Sequence, residues 1–564
     1  MPDVNALPED GCMNAQRKKR LPPRRRGNRR YKTMCGKDLI LQKKTALGIE
    51  FGSTRIKGVL IDYDGNVLAT GTYDWENSLI DGIWTYGLDE VEKGLQGCYA
   101  SLKQNVQEQY GITPVSYGAI GISGMMHGYI ALDSEDRQLA PFQTWRNTNT
   151  TQAADLLTEA FDFNIPLRWS VAHLCQRMLD HEEHVKKVAS VFTLAAYIHY
   201  LLTGEKVVGI GEASGMFPID SEKMDYNEKM VQIFDALAEK EGYALKLREL
   251  FPKVLVAGEA AGTLTAAGAA LIDPSGDLEA GIPLCPPEGD AGTGMTATNS
   301  VAPRTGNLSA GTSSFAMVVL EKQLSKVYRE IDMVTTPSGF PVAMSHANNG
   351  TSDLNAWVGI FREFCDLMGI KADMGELFGK LYKHSLTGDP DCGGLMAYGY
   401  FSGENITFIN EGRPLFLRTP DSKFNLANFM RVNLYTSLGA VKLGMDILLK
   451  EEKVKLDKIM GHGGLFKTPG VAQRYLAAAV NAPVSVMATA SEGGAWGIAL
   501  LAAYLVDGKA EGTLDEWLVR RIFVNLVGET IDPDPAEVEG YEVFTERYVA
   551  ALEAEKAAIS SMTW

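Results

Sequence analysis

The chain has 564 residues, of which 45% are hydrophobic, and its 70 acidic side chains outnumber its 54 lysines and arginines. This length exceeds what one hydrophobic core supports, so we expect a globular protein of at least two domains. The net charge of −16 argues against a nucleic-acid-binding body. No apolar run is long enough to span a bilayer, and no N-terminal pattern resembles a signal peptide, so no membrane partner is expected.

The seven cysteines form no CxxC pair and no cluster with histidine. This usage indicates reduced thiols in a cytoplasmic compartment and argues against structural zinc.

Positive charge is concentrated at the start of the chain, where residues 1–44 hold 13 lysines and arginines against 4 acidic residues. Such an arm could bind nucleic acid or direct targeting, but it lacks apolar periodicity and ends just before Met34, a plausible initiation codon. We therefore interpret residues 1–44 as a disordered extension without function, or as a stretch upstream of the true start, and we expect no nucleic-acid partner.

The first predicted elements form an antiparallel meander. Residues 46–50, 56–61 and 67–72 are rich in β-formers, and a glycine loop and an Asp64-Gly65 turn join them. The first turn contains Gly52-Ser53-Thr54, here named the first phosphate loop. Helical and strand patterns then alternate to about residue 300, which indicates an α/β layer structure.

The pattern restarts after residue 307, where a strand-like run enters Gly311-Thr312-Ser313, here named the second phosphate loop, and another leaves it. This echo predicts a duplicated, two-lobed architecture. Further along, strands near 458–460 and 483–487 run into Gly463-Gly464 and Glu492-Gly493, and such turns at strand ends are where open α/β sheets place ligands.

The two loops and an isolated Glu288-Gly289-Asp290 between them predict ATP-dependent phosphoryl transfer. Loops of this type present backbone N–H groups and hydroxyls that replace the water around a polyphosphate. A nearby carboxylate can take the proton of an attacking hydroxyl. Asp290 is the candidate catalytic base.

Six short motifs in the same order resemble the FGGY family of carbohydrate kinases, most closely its xylulokinase branch. The resemblance runs from about residue 47 to about residue 530. The segments that carry it are 48–54 with Lys57, 122–128, 289–290, 308–313, 400–405, and 463–464 with 491–494.

The resemblance implies an α/β fold of two ribonuclease-H-like lobes, of the actin/hexokinase/Hsp70 superfamily, that close over a central cleft. On this basis we place the N-terminal lobe, with the sugar side, at 45–303. The C-terminal lobe, with the adenosine side, follows at 304–545, and a helical tail at 546–564.

The resemblance also assigns candidate roles to individual residues. The ATP-binding candidates are Gly52, Ser53, Thr54, Lys57, Gly311, Thr312, Ser313, Gly463, Gly464, Glu492 and Gly493. The sugar-binding candidates are Met126, His127, Trp145, Asn147 and Asp290. Mg²⁺ would lie near Glu50 and Asp290, with contacts through water.

Three of these positions depart from the family pattern. Glu50 and Asn147 each stand where an aspartate is usual, and Met125 stands where a glutamine is usual. Because two of the departures fall on the sugar side, phosphoryl transfer follows more firmly than the identity of the sugar.

The sequence therefore predicts a Mg-ATP-dependent phosphotransferase with an alcohol group as acceptor. The acceptor would be a terminal hydroxyl of a ketose, best matched by a pentulose such as xylulose. A ribulokinase, or a kinase for another ketose or polyol, is the alternative within the family. A non-catalytic regulatory protein that responds to ATP and sugar is the alternative from another class, since fold does not dictate function. A homodimer is possible.

Overall fold

The computed structural model describes residues 35–486, 493–524 and 528–563. The strands within them are β1 (Thr45–Phe51), β2 (Arg55–Asp62), β3 (Val67–Asp74), β4 (Ser78–Ile80), β5 (Ile83–Thr85), β6 (Ala119–Gly124), β7 (Ile130–Leu132), β8 (Ser190–Phe192), β9 (Val207–Gly209), β10 (Ile219–Asp220), β11 (Asp225–Tyr226), β12 (Lys253–Leu255), β13 (Glu288–Gly289), β14 (Thr305–Ala310), β15 (Ser314–Val319), β16 (Ile331–Thr335), β17 (Pro341–Ala347), β18 (Met396–Tyr398), β19 (Leu415–Leu417), β20 (Lys458–His462), β21 (Val484–Val486) and β22 (Glu529–Ile531).

The α-helices are α1 (Gly36–Leu41), α2 (Leu88–Tyr110), α3 (Thr151–Phe161), α4 (Ser170–Leu179), α5 (Leu194–Thr203), α6 (Ile210–Ala213), α7 (Glu228–Lys240), α8 (Leu247–Leu250), α9 (Ala266–Ile272), α10 (Asp290–Ala297), α11 (Ser352–Leu367), α12 (Met374–Ser385), α13 (Leu426–Asp446), α14 (Val471–Val480), α15 (Gly493–Val506), α16 (Leu514–Trp517), α17 (Pro535–Ala550) and α18 (Leu552–Ser561).

The first lobe is built on a five-stranded sheet in the order β13-β6-β1-β2-β3. Strands β1, β2 and β3 pair antiparallel, which confirms the predicted meander. Strands β6 and β13 extend the sheet parallel to β1. The carboxyl ends of β1, β6 and β13 therefore meet at one edge, here named the carboxyl edge, where open α/β sheets bind ligands.

The second lobe repeats this arrangement in a seven-stranded sheet of order β16-β17-β15-β14-β20-β21-β22. Strands β14 and β15 form an antiparallel hairpin around the second phosphate loop, as β1 and β2 do around the first. Strand β20 joins β14 in parallel, as β6 joins β1. The predicted two-lobed α/β architecture is thereby confirmed.

A helix from late in the chain completes the first lobe. Helix α15 packs on β1 and β6 with Ala495, Ile498 and Ala499 buried. The approach is close because β1 has glycine at position 48, where a Cβ would lie 2.2 Å from the carbonyl oxygen of Ala495. Residues 493–523 thus contribute to the first lobe's core, and the domain boundaries given above stay predictions.

The last part of the predicted N-terminal extension is ordered. Residues 36–41 form α1, and Leu39 and Ile40 are buried on it, Ile40 against the first lobe's core. Apolar side chains on one short helix favour burial over disorder. Residues 1–34, which carry most of the basic arm, lie outside the described residues.

In the part of the chain that the structure describes, no helix is both long and apolar enough to cross a membrane.

Candidate active site

Asp290 lies at the carboxyl edge as the first residue of α10, directly after β13. The backbone N–H of Met126, which follows β6, donates to Asp290 Oδ1 at 3.1 Å. Gly289 permits this junction, because a Cβ there would lie 2.1 Å from a carboxylate oxygen of Glu212 and 2.9 Å from Cγ of Met126. The Gly-Asp pair therefore joins the predicted base to the predicted sugar segment.

The protein surroundings of Asp290 affect its charge. Asp290 is exposed at the surface of the described chain, while neighbouring protein groups displace part of the water around its carboxylate. This desolvation raises the pKa of Asp290, and the hydrogen bond from Met126 N–H lowers it in part. A higher pKa makes the carboxylate a stronger base than an ordinary aspartate.

Glu50 lies near the end of β1, and its Oε2 accepts the N–H of Ala495 at 3.1 Å. Burial, and next the charge of Asp290, raise the pKa of Glu50 to about 7. A Cβ at Gly494 would lie 2.2 Å from Glu50 Oε1, so α15 closes tightly over this carboxylate. Burial raises the pKa of both carboxylates, and the charge of Asp290 adds to this at Glu50, so a divalent cation near them would be stabilised.

The described residues contain no group of three or more His, Cys, Asp and Glu side chains arranged to hold a metal ion. A cation at Glu50 and Asp290 would therefore need oxygen ligands from water and substrate, which is how Mg²⁺ is usually bound in phosphoryl-transfer sites.

In the first phosphate loop every carbonyl oxygen already accepts a hydrogen bond. The indole N–H of Trp75 donates to Gly52 O at 2.7 Å, and its backbone N–H donates to Thr54 O at 3.2 Å. The Tyr86 hydroxyl donates to Ser53 O at 2.6 Å, and its ring stacks on Trp75 with centroids 4.2 Å apart.

The second phosphate loop shows the same property with different donors. Gly311 O accepts the N–H and the hydroxyl of Thr351, each at 2.9 Å. Thr312 O accepts the N–H of Gly350 at 2.8 Å, and Ser313 O accepts the N–H of Gly311 at 2.9 Å. Carbonyl oxygens repel anions, so both loops have their anion-repelling groups occupied.

Lys57 and Trp145 flank the first loop. Lys57 lies opposite Glu50 in the β1–β2 register, where its positive charge lowers the pKa of Glu50. Trp145 is 39% exposed, and its indole N–H donates to Ser53 Oγ at 3.3 Å.

His127, the residue after Met126, is held in one orientation. Its backbone has a φ of 72°, and its Nδ1 lies 3.2 Å from Gly215 O. Since a carbonyl only accepts, Nδ1 carries the proton. Burial holds the pKa of His127 well below its usual value, so the ring is neutral and Nε2 is an acceptor.

Asn147 is placed differently from the other sugar-side candidates. Its Oδ1 accepts the N–H of Trp84 at 2.9 Å, and its Nδ2 donates to Trp84 O at 2.8 Å and to Thr144 O at 3.1 Å. These contacts join two loops of the first lobe, and the predicted contact of Asn147 with sugar stays a prediction.

On the adenosine side, Gly463 follows β20 with a φ of 98° and passes close to the second phosphate loop. A Cβ at Gly463 would lie 2.5 Å from Ala310 O. Gly464 begins a short 3₁₀ turn, and Gly493 begins α15. Glu492 lies outside the described residues.

Sequence reasoning missed two groups next to Asp290. Glu288 is fully buried, accepts the N–H groups of Gly211 at 3.2 Å and Glu212 at 2.9 Å, and has its pKa raised to about 8 by burial. Arg168 forms an ion pair with Asp332 of the second lobe, and its charge lowers the pKa of Asp290. Glu288 stands in the Glu288-Gly289-Asp290 segment that the sequence singles out, but it received no role of its own, and no local pattern marks the pairing of residues 168 and 332.

Comparison with known proteins agrees with this arrangement. A xylulose kinase from Haemophilus influenzae is 23% identical over 524 residues, which cover 90% of this chain and 99% of that protein. A xylulose kinase structure from Rhodospirillum rubrum matches with a TM-score of 0.73 at 19% identity, covering 91% of this chain and 99% of the other.

A Plasmodium falciparum glycerol kinase solved with ADP matches with a TM-score of 0.71 at 14% identity, covering 91% and 98% of the two chains. These likenesses confirm the two-lobed fold. Sequence models for the two domains of the FGGY family of carbohydrate kinases match residues 45–294 with the N-terminal domain and 306–506 with the C-terminal domain. The chain is thus a carbohydrate kinase and belongs to the FGGY family.

Proposed function

We propose that this kinase transfers the γ-phosphoryl group of Mg-ATP to a terminal hydroxyl of a ketose, with a pentulose such as xylulose as the best-matched acceptor. The observation that carries the proposal is the position of Asp290. It lies at the carboxyl edge, at the end of β13 and beside the end of β6, and its carboxylate is hydrogen-bonded to the sugar-side segment through Met126.

In the proposed reaction Asp290 accepts the proton of the acceptor hydroxyl as that oxygen attacks the γ-phosphorus. The P–O bond to ADP breaks, and the proton stays on Asp290 Oδ until it is released to solvent. The two phosphate loops present N–H groups and hydroxyls to the phosphate oxygens, and Lys57 adds a positive charge. Closure of the lobes would exclude water and limit ATP hydrolysis.

Magnesium would be held near Glu50 and Asp290, because burial opposes the ionisation of both carboxylates and the charge of Asp290 adds to this at Glu50. When bound, the ion would neutralise phosphate charge. Glu50 is anchored by Ala495 N–H, so it would hold hydration water at a fixed place rather than follow the nucleotide.

The sugar side supports an acceptor that carries several hydroxyl groups. Nε2 of His127 can accept from a hydroxyl, the Met126 thioether provides an apolar wall, and the half-exposed indole of Trp145 can stack on a sugar face. Relatives of this chain include proteins named xylulose kinase, glycerol kinase and L-fuculokinase. The names most frequent among them favour a pentulose.

A cytoplasmic location belongs to the same proposal. The cysteines among the described residues are free thiols, with Cys98, Cys175, Cys285 and Cys392 buried, as expected for a reducing compartment.

The test is ADP release from Mg-ATP with a panel of ketopentoses, ketohexoses, ketotetroses and polyols, with Asp290→Asn in parallel. We expect one sugar to stimulate turnover in the wild type and none to do so in the variant. Deletion of residues 1–33 should leave the activity intact. ATP binding without turnover on any sugar would contradict the proposal and favour a regulatory protein.

A further inference from the structure

A buried asparagine and a buried glutamate lie directly behind the second phosphate loop. Asn349 is 7% exposed and follows β17 by two residues. Its Oδ1 accepts the backbone N–H of Phe401 at 2.9 Å and of Ser402 at 3.1 Å. Its Nδ2 donates to Ser402 O at 3.2 Å and to Gly403 O at 3.3 Å. One side-chain amide therefore fixes three residues of the 401–403 turn.

Glu404 adds two hydrogen bonds to this network, both to Asn349. The residue is fully buried, and its Oε2 accepts both the backbone N–H and the Nδ2 of Asn349, each at 3.2 Å. Two backbone hydrogen bonds with Ile409 hold Glu404 itself in place. The carboxylate therefore fixes the main chain at residue 349 as well as its side chain.

The next two residues carry this position to the second phosphate loop. Gly350 N–H donates to Thr312 O, and Thr351 donates twice to Gly311 O, as described above. Gly350 packs closely against the second phosphate loop, because a Cβ at this position would lie 2.5 Å from Gly311 O. A shift of Asn349 by a few tenths of an ångström would be passed directly to residues 311 and 312.

We propose that Asn349 and Glu404 are positioning residues for the nucleotide, which hold the second phosphate loop in the conformation that binds the phosphates of ATP. Neither residue contacts phosphate; they act through Gly350 and Thr351. The inference rests on the proposed function, and it names which buried groups make one of the two phosphate loops competent.

A purely structural role predicts loss of stability alone, so nucleotide affinity must be measured separately from folding. Asn428 provides a matched control, because it is fully buried and has the same bonding pattern. Its Oδ1 accepts the N–H of Asp389 at 2.7 Å, and its Nδ2 donates to Asp389 Oδ2 and to Lys423 O, each at 2.9 Å. These bonds join α13 to residues 389 and 423 and not to the second phosphate loop.

The experiment compares Asn349→Asp with Asn428→Asp in the full chain. Each change keeps the side-chain shape and replaces the donor by an acceptor that faces a carboxylate. We measure thermal unfolding, the dissociation constant of Mg-ADP by calorimetry, and KM for ATP and for the sugar. We expect both variants to unfold at lower temperature, but only Asn349→Asp to weaken Mg-ADP and ATP, by roughly tenfold or more, with the sugar KM within about twofold of wild type.

A rescue variant tests the contact itself. In Asn349→Asp combined with Glu404→Gln, the glutamine amide can donate to the new aspartate, and part of the lost Mg-ADP affinity should return. Glu404→Gln alone keeps an acceptor oxygen for Asn349 and should change the affinity less than about threefold. If Asn349→Asp does not fold, Asn349→Ala, which removes only the side-chain bonds, serves in its place.

The inference is overturned if folded Asn349→Asp or Asn349→Ala binds Mg-ADP as tightly as wild type, or if Asn428→Asp loses affinity equally. Failure of the wild type to bind Mg-ATP or Mg-ADP would instead overturn the proposed function.

Discussion

The two phosphate loops have nearly the same local fold and different supports. In the first, the donors that cap the loop carbonyls come mainly from the aromatic side chains of Trp75 and Tyr86. In the second, the donors to Gly311 O and Thr312 O come from the backbone and hydroxyl of residues 350–351, next to Asn349 and Glu404, and Ser313 O accepts the N–H of Gly311. The common requirement is that carbonyl oxygens be occupied so that N–H groups dominate the surface offered to an anion.

The loop motif therefore specifies the surface that binds phosphate, whereas different sets of residues can hold that surface in place. Trp75 and Tyr86, here named the aromatic brace, combine hydrogen bonding with a large buried surface, so the loss of either side chain costs packing as well as a hydrogen bond. Asn349 and Glu404, here named the polar brace, contribute little apolar burial, so their loss chiefly leaves polar groups without hydrogen bonds.

The largest effect on activity is expected from a change at Asp290, the proposed base. Asp290→Asn keeps an acceptor for Met126 N–H but cannot take a proton, so kcat should fall by about 10²- to 10⁴-fold. Mg-ADP should still bind to the variant, because both loops are intact. Single-turnover kinetics and calorimetry measure the two quantities, and a loss of less than about tenfold would remove Asp290 from the role of base.

A change at Gly494, which contacts Glu50 of β1 and Thr293 of α10, should have the next largest effect on activity. Gly494→Ala places a Cβ 2.2 Å from Glu50 Oε1 and 2.7 Å from Thr293 Oγ1, which forces Glu50 away from Ala495 N–H. We expect kcat/KM for ATP to fall by roughly tenfold or more and the Mg²⁺ concentration needed for half activity to rise. Gly379→Ala, in α12 with open space around its Cβ position, is the control and should behave as wild type.

The aromatic brace can be tested at a single hydrogen bond. Trp75→Phe removes the indole donor to Gly52 O and retains an aromatic ring against Tyr86. One neutral hydrogen bond contributes about 1 kcal/mol, so KM for ATP should rise by a few-fold, less than for Asn349→Asp. An equal or larger effect would show that the two braces do not differ in the way described here.

The smallest effect is expected on the pH dependence of stability, at a buried histidine far from both phosphate loops. His173 in α4 is fully buried, neither ring nitrogen has a hydrogen-bond partner among the residues that the structure describes, and burial lowers its pKa to about 3. The unfolded chain takes up a proton near the ordinary pKa of 6.5, so this contribution to stability is complete above pH 6.5 and is lost as the pH falls toward 3. His173→Phe should remove it, which reduces the decrease in unfolding free energy between pH 7 and pH 5 by up to about 2 kcal/mol in urea titrations. An unchanged pH dependence would contradict this assignment.

Short sequence patterns predicted those features of the structure that involve only neighbouring residues. The meander, both phosphate loops and the Gly-Asp junction each follow from a few adjacent residues, since alternation and glycine turns are properties of short segments. The braces could not be found in this way. Trp75 acts on a residue 23 positions earlier, and Glu404 bonds to one 55 positions earlier, and neither spacing leaves a trace in the sequence.

The sugar side shows a different limit. A motif predicts that Asn147 contacts sugar, and this stays a prediction; in the structure its amide atoms bond to the backbone at residues 84 and 144. Burial raises the pKa of Glu288, and the charge of Arg168 lowers that of Asp290; both effects depend on how distant segments pack. A motif gives the order of residues along the chain, and the direction of each side chain is decided by the tertiary fold.

The packing of α15 on β1 has a consequence for biosynthesis. Glu50 receives the N–H of a residue synthesised 445 positions later, and the same late helix covers the apolar surface of β1 and β6. A nascent chain that has emerged only as far as the second lobe therefore has both phosphate loops but an open core beneath the first. The active site of this kinase can be completed only after the ribosome has passed residue 506, so contacts of high sequence separation form last.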